Sequence, residues 1–84
     1  MLKQARQGST LTVHLDGELD HCSALHIRQE LDDLIADERI KHLILDMQGL
    51  TFMDSSGIGV IIGRYRTLAR RGGSVSVRGA NRHI

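Results

Sequence analysis

Aromatic residues are almost missing from this chain: Phe52 and Tyr65 are its two. A core without aromatics must be built from Leu, Ile and Val, and base stacking on single-stranded nucleic acid has little to work with. Proline is absent altogether, so no helix or strand is forcibly broken. A single cysteine, Cys22, cannot close an intramolecular disulfide, which fits a reducing compartment. No apolar run approaches the roughly 18 residues of a membrane span. The N-terminal Met1-Leu2-Lys3-Gln4-Ala5-Arg6 lacks the apolar stretch of a secretory signal, so the chain is expected in the cytosol, away from membranes.

Acid is missing from the last third. All ten acidic residues lie at or before Asp54, while Arg64, Arg66, Arg70, Arg71, Arg78 and Arg82 follow it. Such a split suits an acidic partner or nucleic acid. The plainer reading is a solvated basic helix face that complements a helix C-terminus. With 84 residues the chain forms one domain, 1–84, with a small core.

What is present is a regular alternation of patterns. Thr10 to Leu15 alternates polar and apolar residues, the period of a half-buried strand. Leu2 to Arg6 is a weaker strand, with Gln7-Gly8-Ser9 as the turn between the two. Asp16-Gly17-Glu18-Leu19-Asp20 is expected to be a polar connection. A helix follows from about Ser23, a good N-cap, to Asp37, with Ala24, Ile27, Leu31, Leu34 and Ile35 on one face. His42 to Met47 is nearly continuous apolar sequence and suits a central strand buried on both faces. Gln48 to Met53 is expected as a loop. A second helix runs from Asp54-Ser55 to about Arg71, with Ile58, Ile61, Ile62, Tyr65 and Leu68 marking its face, and Gly72-Gly73 stopping it. Ser74 to Val77 is a last strand. The order β-β-α-β-α-β predicts an α/β fold with packed helices on a mixed sheet.

Few residues combine into chemistry. No Gly-Lys-Ser/Thr sequence exists, G-x-G-x-x-x-G is not the dinucleotide spacing, and the sequence before Ser55 is no nucleophile elbow. Glu18 and Asp20 could be read as an acid/base pair, but nothing supplies a nucleophile, and a solvated turn or a contact for a partner's arginine suits them better. His14, His21, His26, His42 and His83 lack metal-ligand spacing, so neither a metal nor another cofactor is expected. No enzyme constellation remains. The junction at Asp54-Ser55-Ser56 stands out. A helix start offers free amides that attract anions, and a serine there is exposed to modification. Its plain alternative is simple capping by Asp54 or Ser55. Gly57, Gly59 and Gly63 each cost the helix about 0.5–1 kcal/mol relative to alanine, so they need a reason, such as close approach of another backbone, within the fold or from a partner.

The run Phe52-Met53-Asp54-Ser55-Ser56-Gly57-Ile58-Gly59-Val60-Ile61-Ile62-Gly63-Arg64-Tyr65 resembles the phosphorylation segment of the STAS-domain anti-sigma factor antagonists. Its Gly-Arg-Tyr ending is most similar to the sporulation branch. Gly17-Glu18-Leu19-Asp20-His21 resembles that family's acidic turn, with Cys22 in place of the second residue of a common His-His pair. His42 to Asp46 resembles the strand before the phosphosite. The resemblance implies a STAS-like mixed sheet and a switch protein. The unphosphorylated form binds an anti-sigma factor that is also a serine kinase, which frees the sigma factor. The kinase phosphorylates the antagonist on the residue matching Ser55, and a serine phosphatase restores it. It places partner contacts at Glu18, Asp20, His21, Asp54, Ser55, Ser56, Gly57, Ile58 and Gly59, with no direct nucleic-acid contact. A general-stress antagonist and a ligand-sensing STAS module are the alternatives. Family members continue into further helices beyond the position of Ile84, so the domain is expected to be C-terminally shortened, with little stability in reserve.

Overall fold

The computed structural model describes residues 2–80; Arg82 and His83 lie outside them. Two antiparallel strands, β1 (Lys3–Gln7) and β2 (Thr10–Leu19), form a hairpin in the register Gln7 to Thr10. Gly8 turns it with φ +62°, a value that favours glycine. Helix α1 (Ala24–Ile35) leads to β3 (His42–Met53), which lies parallel to β2. Helix α2 (Ser55–Ala69) leads to β4 (Ser74–Arg78), parallel to β3. The sheet order is β1-β2-β3-β4. The β-β-α-β-α-β order and the mixed sheet are those expected from the sequence patterns.

The core lies on one face of this sheet. Leu11, Val13 and Leu15 of β2 and Leu43, Leu45 and Met47 of β3 pack with Ile27, Leu31 and Ile35 of α1 and Val60 and Leu68 of α2. The β3 strand is therefore not buried on both faces. His42, Ile44 and Asp46 point to the side away from the helices and stay partly open. Its apolar run reads as two-sided because Ile44 is apolar, while polar His42 and Asp46 flank it.

Two expected loops are strand. Asp16 to Leu19 extends β2 and Gln48 to Met53 extends β3, pairing Asp16 with Gly49, Gly17 with Leu50, Glu18 with Phe52 and Leu19 with Met53. Irregularities between His14 and Asp16 and between Gly17 and Glu18 break the alternation. A bulge of this kind disrupts the period-two pattern that marks a strand.

The second helix turns differently from its hydrophobic pattern. Its buried residues are Gly57, Val60, Arg64 and Leu68. Ile58 (50% exposed), Ile62 (44%) and Tyr65 (53%) face outward instead, and Ile61 is partly buried. Arg64 is only 7% exposed and its Nε lies 3.0 Å from Asp32 Oδ1, an ion pair that ties α2 to α1. The basic C-terminal third is thus not simply a solvated face. Arg71 donates to the carbonyl of Ile40 at 3.2 Å, and Arg78 lies 3.8 Å from Asp46. Gly73 closes the helix end where a Cβ would run into the Lys41 carbonyl.

Candidate functional site

Parallel strands bring their ends to the same edge. The pairing of Leu19 with Met53 sets the turn after β2 beside the turn after β3, and Asp54 N donates to the Leu19 carbonyl at 3.2 Å. Thr51 Oγ1 adds a bond to the Gly17 carbonyl at 3.1 Å. Both helices start at this edge. Glu18, Asp20, His21, Asp54, Ser55 and Ser56 are therefore neighbours on one rim of the sheet, though far apart in sequence.

The start of α1 is tied down. Asp20 Oδ1 accepts from the amides of Cys22 (2.9 Å) and Ser23 (3.0 Å). These amide bonds, the Ser23 one first, hold the Asp20 carboxyl below the usual aspartate range against the opposing effect of desolvation. Ser23 sits at the N-cap position but makes no side-chain cap bond. Its hydroxyl donates instead to the Glu18 carbonyl at 2.9 Å and accepts from Asp20 N at 3.1 Å. The side-chain cap expected of Ser23 is therefore not made: Asp20 Oδ1 holds the turn before the helix, and the first helix amide, Ala24 N, donates to the Asp20 carbonyl at 2.8 Å.

The start of α2 is more open. Asp54 adopts extended backbone, and its Oδ1 accepts from Ser56 N at 2.8 Å. The cap is Asp54, which leaves Ser55 free as the first residue of the helix. Ser55 is exposed, and among the described residues its hydroxyl has no hydrogen-bond partner. A serine hydroxyl at this place is reachable by another protein and lies at a helix N-terminus, the end whose dipole stabilises an added anion.

The glycines separate in role. Gly57 is buried, and a Cβ there would collide with the Met53 side chain and press on Leu19. Its lack of a side chain therefore has an internal packing reason. A Cβ at Gly59 or at Gly63 would meet nothing within 4 Å. Neither glycine has an internal packing reason.

The sequence patterns did not single out Leu25, Arg28 or Arg64. Leu25 (54% exposed) lies off the face that buries Ile27 and Leu31. That offset is a signal, since an apolar residue outside the buried stripe is available to something else. Arg64, one turn after Val60, sits within the buried stripe itself, and only its spacing could have shown it. Cys22 is exposed, with Sγ 3.5 Å from His21 Nε2. Among the described residues no group of His, Cys, Asp and Glu has the arrangement of a metal site, and no helix is long and apolar enough to cross a membrane.

The sequence profile of the STAS domain family matches residues 2–84. An anti-sigma F factor antagonist of Paenibacillus polymyxa is 42% identical over 71 residues, which are 84% of this chain and 61% of that protein. The chain therefore spans about three fifths of that relative's length. The anti-sigma factor antagonist SpoIIAA in its unphosphorylated form superimposes with a TM-score of 0.76 and 31% identity, over 92% of this chain and 71% of that one. The Bacillus cell fate determinant SpoIIAA in its phosphorylated form gives a TM-score of 0.72 and 32% identity, over 89% and 68%.

Proposed function

The chain belongs to the STAS domain family, and from that premise we propose that it is an anti-sigma factor antagonist whose partner binding is switched off by phosphorylation of Ser55. One observation carries the reading. Ser55 is an exposed serine at the open start of α2, at the sheet rim where β2 ends in Glu18 and Leu19 and Asp20 follows. The two solved relatives, one unphosphorylated and one phosphorylated, favour the same switch.

In this reading the chain is a binding module and a kinase substrate, not an enzyme, and it acts in the cytosol on a sporulation-type sigma system. The partner is an anti-sigma factor with serine kinase activity. Its surface contacts Glu18, Asp20, His21, Asp54, Ser55, Ser56, Gly57, Ile58 and Gly59. Among the described residues every bond to the Asp20 carboxylate goes to Oδ1, so Oδ2 is the oxygen left for a cationic group of the kinase. The kinase transfers a phosphoryl group from ATP to Ser55 Oγ, with the hydroxyl proton leaving to solvent or a kinase base. A serine phosphatase reverses it.

Phosphate adds about −1.5 to −2 charges at neutral pH. The amides at the start of α2 attract that charge, while Glu18 and Asp20 repel it. A helix-end attraction is about 0.3–1 kcal/mol, far below the cooperative stability of a domain. Phosphorylation therefore leaves the fold in place and blocks the partner by bulk and charge at the point of docking. The direct test is incubation with an anti-sigma factor kinase and ATP, followed by mass spectrometry. A phosphate on Ser55 supports the reading, and an unmodified chain in the presence of an active, bound kinase refutes it.

A further inference from the structure

Helices α1 and α2 leave a groove of about 340 Å³ between their first turns, lined by Ala24, Leu25, Arg28, Ser56, Gly59 and Val60. Ser56, which follows Ser55 in the chain, is part of this lining. Its floor and walls are mostly apolar. Ile62, one turn on from Gly59, extends the apolar surface along α2.

Arg28 is the one ionisable side chain in this lining. The acid one turn further along α1, Asp32, is already engaged by Arg64 at 3.0 Å. The groove therefore presents a cation on apolar ground, with the acidic Glu18–Asp20 turn on the same rim. Such a bipolar surface fixes the direction of whatever docks on it. Gly59 adds an independent sign. A glycine within a helix lowers its stability, and here no internal contact requires one. Without a Cβ the groove wall stays low enough for another backbone to approach.

We propose that this groove is the docking slot for a helix of the anti-sigma partner that carries an apolar side chain for Leu25 and a carboxylate for Arg28. The proposal rests on the antagonist reading and adds the chemistry of the partner to it. An amphipathic helix laid between two helices is a recurrent binding mode. A planar guanidinium pairs well with a carboxylate at the edge of an apolar slot. A cation from the partner at Asp20 and a carboxylate at Arg28 then set its orientation.

The experiment measures affinity for the anti-sigma F factor of Paenibacillus polymyxa by titration calorimetry, with melting temperatures recorded alongside. Arg28→Glu should weaken binding at least about tenfold, while Arg70→Glu, a reversal at the far end of α2, should not. Gly59→Ala should raise the melting temperature and still weaken binding, a pair of changes that a purely structural glycine does not produce. Wild-type affinity in both Arg28→Glu and Gly59→Ala would overturn the groove while leaving the antagonist reading intact. Equal losses in Arg28→Glu and Arg70→Glu would also overturn it, because general charge would then suffice. No binding by the wild-type chain would bring down the antagonist reading and the groove together.

Discussion

Two helices begin at the same rim of one sheet, each just after a strand end and each with an aspartate at its entry. Their chemistry is nevertheless different. At α1, Asp20 closes the entry by accepting two amides, and Ser23 is drawn into the same bonds. At α2, the Asp54 carboxylate holds a single amide, that of Ser56, while its carbonyl accepts from Gly57 N, and the serine between Asp54 and Ser56 stays exposed. The difference teaches how one fold makes one helix start closed and the other open. At α1 a turn of three residues separates Asp20 from the helix, and its carboxylate accepts the Cys22 and Ser23 amides of that turn. Asp54, directly adjoining its helix, leaves the next side chain outside.

The largest effect should come from the serines at the open start. Ser55→Ala should abolish phosphate incorporation by the kinase, whereas Ser56→Ala should retain it; mass spectrometry of the two variants decides between them. Labelling of the Ser55→Ala chain would erase the contrast between the two starts. Next come the glycines of α2. Gly57→Ala should cost about 1–3 kcal/mol, because the new methyl group must displace Met53 in a packed region. Gly59→Ala should instead add about 0.5–1 kcal/mol. Chemical denaturation of both variants gives the signs, and equal signs would show that the open wall at Gly59 is filled in solution. Asp54→Ala should lose about 1 kcal/mol, the ordinary worth of an N-cap, measured in the same way.

The smallest effect is on pH dependence. The folded carboxyl of Asp20 lies below its unfolded value. Its stabilisation is therefore present above the unfolded value and fades as pH falls through the folded one. The wild-type chain should lose stability below about pH 4 more steeply than Asp20→Asn. The difference between the two acid profiles isolates this group from Asp37, Glu30 and Asp46, whose carboxyls are also lowered, chiefly by Arg39, by the Leu2 amide and by the Gln48 amide respectively. Superimposable profiles would show that Asp20 does not hold the α1 entry in its charged form.

Local sequence carried the element order and the Asp54-Ser55 junction well, because both depend on short-range periodicity and on a long specific motif. It failed where tertiary pairing decides. Asp16-Gly17-Glu18 and Gln48-Gly49 are polar and glycine-bearing, and they become strand only because each supplies the other's parallel partner. Apolar character alone also misplaced Ile58, Ile62 and Tyr65 in the core. The inward face of α2 is a glycine, a valine, an arginine and a leucine. Arg64 is admitted there because Asp32 reaches it from α1, a relation between two helices that neither helix shows by itself. The groove at Arg28 escaped for the same reason, since its walls come from both helices.

The sharpest measurement compares the unmodified chain with the chain carrying phosphate on Ser55. Kinase affinity is measured by calorimetry, and backbone amide shifts by two-dimensional NMR. A local switch predicts that affinity is lost and that shift changes stay near residues 18–23 and 54–59. Retained affinity, or shift changes spread through the Leu43, Leu45 and Leu31 core, would contradict it.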